Sequence, residues 1–340
     1  MKTSAQKIFL FGVMILITLA FGRYSQGEID SQSQVKEEKI KLTSATLEET
    51  VLEAVQDLEE KREEQREEQK EDKNDAVSNI LKGESKTVLE ILQEEPGQSP
   101  SFLASVVSVS NLKTRDVFFE YETSRRWPVA SITKLMTAVA AFRKIDQTSV
   151  IEVTNRDLEF FEETASKIKA GDKYSRDDML EIMLGTSSNE AAEALANFYG
   201  RDKFIHEMNL QAKEWGLNNT YYKDPTGISV SNQSTASDLR ELTIRIYNEE
   251  PMIFEITRRA RLDARELESK KVYRFDSNNI FTSRKDFLGG KTGYTDEAQQ
   301  NLLSIFKYDG QPILIIVLGT NDRFTQTEDL FNWYKNIYLK

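Results

Sequence analysis

The amino-acid sequence predicts a fold of the α/β (α+β) class, with an antiparallel sheet flanked by helices and a helical subdomain. Three observations support this prediction. Apolar, β-rich runs occupy about residues 101–122, helical periodicity dominates about residues 128–265, and strand patterns return from about residue 272 onward. Because strands lie on both sides of a helical centre, we expect the early and late strands to complete one sheet.

The first two strands are predicted at SFLASVVSVS (101–110) and DVFFEYE (116–122). The segment NLKTR (111–115) between them is typical of a turn, so a strand–turn–strand hairpin is expected. Pro128 then begins a helical stretch over SITKLMTAVAAFRKI, where apolar residues recur at i, i+3 and i+4.

Strands are predicted again at YRFDSNNIF (273–281), at the run into Gly289-Gly290-Lys291, at NLLSIFKY (301–308) and at PILIIVLG (312–319). The last two runs are joined at Asp309-Gly310, a pair that favours a tight turn. An amphipathic helix over TEDLFNWYKNIYL is expected to follow them.

Residues 1–27 are predicted to be a signal peptide or membrane anchor. An apolar run at 8–21 follows Lys2 and Lys7, and its length suits a signal sequence better than a complete membrane span. The sequence leaves cleavage open. In either case the positive end stays in the cytoplasm, and we expect the remainder outside the cytoplasmic membrane, secreted or anchored to its outer face.

Residues 28–100 are predicted to form a charged, partly helical stalk that precedes a folded domain at 101–340. Residues 28–96 hold 21 acidic and 10 basic side chains, and no aromatic residue lies between Tyr24 and Phe102. Such a composition offers little to pack into a core. Helical spacing of apolar residues persists for only about two heptads, so a short coiled coil is an open alternative.

Composition excludes several kinds of chemistry. The chain has no cysteine, which removes disulfides, thiolate catalysis and cysteine-bound zinc, and we expect no metal or other cofactor. Its one histidine, His206, lies in an amphipathic helical pattern, so a Ser-His-Asp triad is not expected. Residues 97–340 carry 35 acidic and 32 basic side chains, which gives no basic surface for nucleic acid.

The first chemical motif is Ser131-Ile132-Thr133-Lys134, at the amino end of the predicted helix. A three-residue step puts the serine and the lysine on one helix face. Free N–H groups at a helix start suit an oxyanion beside Ser131. A lysine can act as a base when burial and a second cation lower its pKa. Alone, this spacing also occurs by chance on helix surfaces.

The second motif, Ser187-Ser188-Asn189, lies between two helical patterns, where a hydroxyl and an amide could enter a cleft. Helix capping explains it equally well in isolation. The third, Lys291-Thr292-Gly293, follows two glycines and is followed by Tyr294. Glycines in a strand indicate close approach by another backbone, and the lysine and threonine could bind a carboxylate. A loop with an ordinary lysine is the plainer alternative.

The three motifs together resemble those of the serine D-alanyl-D-alanine carboxypeptidases, the low-molecular-mass penicillin-binding proteins (peptidase family S11). The resemblance covers about residues 101–320. It also includes these blocks, in the family's usual order: AGDKYSRDDMLEIMLGTSSNEAAEALA, DPTGIS, STASDLREL and GGKTGYT. Ser188 stands where glycine is common in the family. The resemblance implies the penicillin-binding/β-lactamase-like transpeptidase fold and a substrate among peptidoglycan stem peptides ending in D-Ala-D-Ala, with β-lactams as covalent inhibitors.

The resemblance also implies residue roles. Ser131 would be the nucleophile and Lys134 its base. Ser187 would relay the proton to the leaving amine, and Asn189 would hold the substrate amide. Substrate binding would fall to the segment Lys291-Thr292-Gly293-Tyr294, in which the lysine and threonine hold the terminal carboxylate and the Tyr294 N–H joins that of Ser131 at the oxyanion.

Two other functions are consistent with parts of the sequence. A serine β-lactamase shares the first and third motifs, but a class A enzyme would be expected to carry aspartate where this chain has Ser188. A non-catalytic wall-binding relative is harder to reconcile with a full set of polar residues. The sequence predicts a D-Ala-D-Ala carboxypeptidase, with endopeptidase action on cross-links as a further option.

Overall fold

The computed structural model describes residues 99–159 and 168–337. The predicted signal or anchor at 1–27 and nearly all of the predicted stalk lie outside these residues, so the domain boundaries stay predictions. Among the described helices, none combines the length and the apolarity needed to cross a membrane.

The main sheet is antiparallel and has five strands in the order β2-β1-β11-β10-β9. Its strands span β1 Val106–Asn111, β2 Val117–Tyr121, β9 Phe287–Thr295, β10 Gln299–Tyr308 and β11 Gln311–Thr320. Because β1 pairs with β11, from Val106 opposite Leu318 to Asn111 opposite Ile313, the two ends of the folded region close one sheet. This confirms the predicted fold class.

Both hairpin predictions are confirmed. In the β1–β2 turn the Asn111 side chain accepts hydrogen bonds from the N–H groups of Lys113 and Thr114, at 2.8 and 3.2 Å. In the β10–β11 turn, Asp309 and Gly310 both take positive φ, as a tight hairpin turn requires.

The remaining elements lie between β2 and β9, apart from the last helix. The short strands are β3 Trp127–Pro128, β4 Val150–Glu152, β5 Lys173–Ser175, β6 Gln233–Ser234, β7 Arg261–Arg265 and β8 Val272–Asp276. The helices are α1 Lys134–Lys144, α2 Asn155–Leu158, α3 Arg176–Thr186, α4 Asn189–Tyr199, α5 Arg201–Glu214, α6 Ala236–Glu249, α7 Met252–Thr257 and α8 Arg323–Ile337. Short 3₁₀ turns occupy Ala130–Thr133 and Ile280–Ser283.

Several local expectations differ from the structure. The strand predicted at 273–281 ends at Asp276 as β8, because the Asn279 side chain caps a 3₁₀ turn at Ile280–Ser283. The strand predicted at 101–110 begins only at Val106. The segment 261–265, expected to be helical, forms β7 and pairs with β8 in a separate two-stranded sheet. Its burial alternates along the strand, which is a strand period and explains the difference. The helix after Pro128 begins with a 3₁₀ turn, so Ser131 precedes the α-helix proper. The last helix begins at Arg323, four residues before the predicted start.

The sheet has an apolar core on each face, which explains why β11 is almost continuously apolar. Leu314 and Ile316 belong to the core shared with the central helices, whereas Ile315 and Val317 belong to the core that α8 covers with Phe331. Full burial of each such side chain contributes about 1.5–3 kcal/mol. The sheet is therefore packed on both faces. Its edge strand β9 lies next to the helical subdomain.

Candidate active site

Ser131 lies in the 3₁₀ turn Ala130–Thr133, which is held in an unusual backbone conformation. Ala130, the residue before the serine, has a φ of +48°, a region that a residue with a Cβ rarely adopts. The turn is tied to the segment before β6, because the Asn232 amide donates to the hydroxyl oxygen of Thr133 at 3.0 Å and the Val129 N–H donates to the Asn232 carbonyl at 3.0 Å. Such strain, maintained by its surroundings, is typical of functional sites.

Lys134 directs its amine at the serine. Its Nζ atom lies 2.9 Å from Ser131 Oγ, 2.7 Å from Asn189 Oδ1 and 2.6 Å from the carbonyl oxygen of Thr226. The lysine has no solvent exposure. The structure therefore brings Ser131, Lys134 and Asn189 together, although Asn189 lies 55 residues beyond the lysine in the chain.

The surroundings of Lys134 allow its amine to lose its proton near neutral pH. Burial is the main cause, and it lowers the pKa of Lys134 from 10.5 to about 7. The negative charges of Asp224, Glu190 and Glu193 act in the opposite direction and raise the pKa. The predicted effect of a second cation is seen at Lys291. Burial lowers the pKa of Lys291, and the charges of Lys134 and Arg323 lower it further.

The second motif connects α3 to α4 and has two distinct roles. Ser187 has a φ of +62° at the end of α3, and its hydroxyl oxygen accepts a hydrogen bond from Lys291 Nζ at 2.8 Å. Ser188 caps α4 by accepting from the Ala191 N–H, and its hydroxyl donates to the Glu190 carboxylate at 2.6 Å. The capping alternative therefore describes Ser188, while its two neighbours in the motif accept hydrogen bonds from Lys291 and Lys134.

The third motif lies on β9, the strand at the sheet edge nearest the helical subdomain. Lys291 is buried and also donates from Nζ to the Thr292 carbonyl oxygen at 2.9 Å. The Thr292 hydroxyl lies 3.4 Å from the Asn278 amide oxygen. Tyr294 is exposed, and its hydroxyl donates to Asp296 at 2.9 Å. Lys291 thus reaches Ser187 of the second motif and Thr292 faces Asn278, while the Tyr294 side chain points outward.

Two glycines allow separate segments to lie against the turn that contains Ser131. A Cβ on Gly293 would lie 2.8 Å from the Val129 carbonyl oxygen and 3.2 Å from the Ser131 nitrogen. A Cβ on Gly227 would lie 1.9 Å from the Ala130 carbonyl oxygen. Only glycine permits both approaches, so β9 and the 224–229 loop enclose the 3₁₀ turn from two directions.

Sequence reasoning missed two charged residues of the site. Arg323, at the start of α8, donates from Nη1 to the Gly293 carbonyl oxygen at 3.0 Å. No local pattern marks it, because its position depends on how α8 packs on the sheet. Asp224 lies in the DPTGIS block that the resemblance included, so a signal was present there, but it did not specify a role. His206 is exposed on α5, and no cluster that could hold a metal ion occurs in residues 99–159 and 168–337.

The fold and the site together define a class. A serine hydrogen-bonded to a buried lysine, with a Ser-x-Asn motif on one side and a Lys-Thr-Gly strand on the other, characterises the serine hydrolases of the penicillin-binding fold. A solved structure, the Streptomyces K15 DD-transpeptidase, superimposes with a TM-score of 0.65 over 72% of this chain and all of that chain, at 21% sequence identity. That likeness shows the fold.

Within this class, the chain belongs to the D-alanyl-D-alanine carboxypeptidase family (Peptidase_S11), whose profile matches residues 94–322. It is 28% identical over 236 residues to the D-alanyl-D-alanine endopeptidase of Escherichia coli, which covers 68% of this chain and 76% of that protein. It is also 28% identical over 240 residues to the D-alanyl-D-alanine carboxypeptidase DacF of Bacillus subtilis, covering 67% of this chain and 61% of that protein. The chain is therefore a serine-type hydrolase of the DD-peptidase family.

Proposed function

We propose that this chain hydrolyses peptidoglycan stem peptides ending in D-Ala-D-Ala through an acyl-enzyme on Ser131. The assignment of roles rests on the position of Lys134 beside Ser131. The buried Lys134 amine, with a pKa near 7, lies 2.9 Å from the serine hydroxyl oxygen and can accept its proton near neutral pH.

In the proposed reaction, Ser131 Oγ bonds to the carbonyl carbon of the penultimate D-alanine while Lys134 takes the hydroxyl proton. The carbon–nitrogen bond to the terminal D-alanine then breaks. Ser187, hydrogen-bonded to Lys291, passes the proton held by Lys134 to the nitrogen of the leaving amine, so Lys134 returns to its neutral form and Ser187 keeps its hydroxyl. Water hydrolyses the ester, which releases the shortened peptide and restores the serine.

Binding roles follow from the same geometry. The Ser131 nitrogen lies next to β9, so its N–H and that of Tyr294 form the proposed oxyanion site. Thr292, Lys291 and the nearby Arg323 place a hydroxyl, an amine and a guanidinium group where the substrate's terminal carboxylate would lie. The amide of Asn189 would hold the peptide backbone of the substrate.

A second activity, endopeptidase cleavage of D-amino-acid cross-links, has its own support in the name of the E. coli relative. The two reactions share the acylation chemistry and differ in the group that leaves. Free D-alanine released from a pentapeptide would indicate carboxypeptidase action, whereas monomers released from cross-linked dimers would indicate endopeptidase action.

We also infer that the chain is exported and held at the outer face of the bacterial cytoplasmic membrane through residues 1–27, with the charged segment as a tether. The cationic start and the apolar run 8–21 support this, and so does the location of peptidoglycan. Protease added to spheroplasts should degrade the protein, which should pellet with membranes. Protection from protease together with recovery in the cytoplasmic fraction would contradict export.

Labelling with a fluorescent penicillin tests the nucleophile. The wild-type chain should become labelled, and the added mass should lie on the peptide that contains Ser131. Ser131→Ala should remain unlabelled, while Ser283→Ala, which alters an exposed serine in the other 3₁₀ turn, should label as the wild type does. Labelling of Ser131→Ala at the wild-type rate would show that another residue is the nucleophile.

The adduct should persist for minutes or longer, because an opened lactam ring stays attached and blocks the approach of water. D-Ala-D-Ala peptides should turn over under the same conditions. Rapid penicillin turnover without any release of D-alanine would favour the β-lactamase. A chain that neither labels nor turns over would favour the non-catalytic relative. The family match and the assembled polar set favour neither rival.

A further inference from the structure

The block Asp224-Pro225-Thr226-Gly227-Ile228-Ser229 has no role in the reaction scheme, yet it adjoins the reacting pair. Its shape is set by one buried carboxylate. Asp224 Oδ1 accepts from the Thr226 N–H, the Thr226 hydroxyl and the Gly227 N–H at 2.8, 2.7 and 2.7 Å. Asp224 Oδ2 accepts from the Ser229 N–H at 2.9 Å. Four donors converging on one carboxylate fix the course of the loop.

This loop contacts the reacting pair at two points. The carbonyl oxygen of Thr226 accepts the 2.6 Å hydrogen bond from Lys134 Nζ. Gly227, with a φ of +90°, lies directly against the carbonyl of Ala130, the residue that precedes the nucleophile. The loop thus orients the base and supports the backbone of the serine.

Asn232 joins Asp224 to the nucleophile turn from the other side. Its amide nitrogen donates to the Asp224 carbonyl oxygen at 2.9 Å and to the Thr133 hydroxyl oxygen at 3.0 Å. Its amide oxygen accepts from the Asp224 N–H at 3.2 Å. With Asn232 fully buried, the backbone of Asp224 has a fixed position relative to the helix that carries Lys134.

We propose that Asp224 is a positioning residue for the base. Its carboxylate folds the 224–229 loop so that the Thr226 carbonyl oxygen accepts a hydrogen bond from the Lys134 amine, and its negative charge favours the protonated form of that amine. The proposal deepens the proposed function and rests on it, because it concerns the same Ser131–Lys134 pair. Asp224 acts through Lys134 and needs no contact with substrate.

Charged groups face Lys134 from three elements. Asp224 lies on the loop, Glu190 and Glu193 on α4, and Lys291 on β9. Of the three carboxylates, Asp224 raises the pKa of Lys134 most. Removing its charge therefore lowers that pKa further, so the rise of the acylation rate with pH moves to lower pH. A less basic amine also removes the serine proton less effectively, which lowers the rate at the plateau.

Asp224→Asn in the full chain tests the proposal, since it keeps the side-chain size but removes the charge and turns one acceptor into a donor. The second-order rate of acylation by a fluorescent penicillin is measured from about pH 5 to about pH 10. We expect a plateau at least about tenfold lower than wild type and a midpoint at least about half a pH unit lower.

Glu266→Gln is the matched control. Glu266 is also a buried carboxylate that fixes a loop, because it accepts from the N–H groups of Lys173 and Glu268 at 3.1 and 3.0 Å. It lies between β7 and β8 and takes no part in the proposed chemistry. Its variant should keep both the wild-type plateau and the wild-type midpoint.

An Asp224→Asn profile identical to that of the wild type overturns the proposal. A lower plateau with an unmoved midpoint also overturns it, because a merely structural role gives that result. If Asp224→Asn loses cooperative thermal unfolding, Thr226→Val decides. It keeps the charge of Asp224 but removes the hydroxyl that donates to this carboxylate and accepts from the Ile228 N–H within the same loop. Because this variant keeps the charge, the proposal requires a wild-type midpoint together with a plateau at least about threefold lower. A moved midpoint or an unchanged plateau overturns it. Failure of the wild-type chain to label refutes the proposed function instead.

Discussion

Lys291 Nζ lies 2.8 Å from Ser187 Oγ, although the two residues are 104 positions apart in the chain. The contact joins the sheet edge to the loop between α3 and α4 across the proposed cleft. A serine hydroxyl that accepts a hydrogen bond from an amine has its own proton free for another acceptor. This arrangement suits the proposed transfer of a proton to the leaving amine.

Lys134→Arg should reduce penicillin acylation by about 10²–10⁴-fold at neutral pH. Arginine keeps the positive charge but does not deprotonate in this range, so no base remains for Ser131. Stopped-flow fluorescence with a labelled penicillin measures the rate. Lys144→Arg, on the exposed part of α1, should behave as the wild type does. Near-normal acylation by Lys134→Arg would exclude the lysine as the base.

The wild-type acylation rate should rise with pH and reach half of its plateau near pH 7. The direction follows from the pKa of Lys134, which burial lowers to about 7, because the reactive form is the neutral amine. Initial rates measured in buffers of constant ionic strength give the profile. A rate that falls as pH rises through 7 would show that the protonated amine is the active form.

Lys134→Met should become more stable relative to wild type as pH falls from about 10 to about 6. The folded-state pKa of Lys134 is about 7 and lies below its ordinary value of 10.5, so between these values the unfolded chain binds more protons. Wild-type stability from this group is therefore present at high pH and lost as pH falls through 7. Urea unfolding at several pH values measures the difference, and a pH-independent difference would contradict the prediction.

Gly227→Ala should lower both stability and acylation far more than Gly171→Ala. Both glycines have a φ of +90°, so alanine meets the same backbone strain of about 1–2 kcal/mol at each. At Gly171 nothing lies within 4 Å of the new methyl group, whereas at Gly227 it would lie 1.9 Å from the Ala130 carbonyl oxygen. We expect an additional loss of about 1–3 kcal/mol and at least tenfold slower acylation.

Thermal unfolding and penicillin labelling of the two variants provide the comparison. Equal losses in both would mean that backbone conformation alone matters and that the loop does not support the nucleophile. Slow acylation confined to Gly227→Ala would confirm that the contact with Ala130 holds the serine in place.

A shortened chain that begins at residue 98 should fold and react with penicillin as fast as the full chain does in detergent. The charged segment before it lacks aromatic residues, so it offers little to pack against the folded region. Acylation rates of the two proteins, measured side by side, test this. A large loss of rate in the shortened chain would show that the preceding segment contributes to the site.

The sequence by itself determined the fold class and the positions of the motifs. The period-two and helical patterns located both hairpins and most helices, because each pattern reflects which face of an element is buried. Two local predictions were wrong. The segment 261–265 alternates in burial as a strand does. The serine turn is 3₁₀, and it packs against Gly227 and Gly293 from distant segments, which no local pattern shows. Composition excluded thiol chemistry without any structure.

The tertiary structure alone decided which side chains meet and in what state of charge. Ser131 and Lys134 are neighbours in sequence, but Asn189, Thr226 and Lys291 join them only through long-range packing. The pKa of Lys134 depends on the water that this packing excludes, which no spacing of residues encodes. The hydrogen bonds of Asp224 and the approach of Arg323 to β9 likewise depend on how distant segments fold against the sheet.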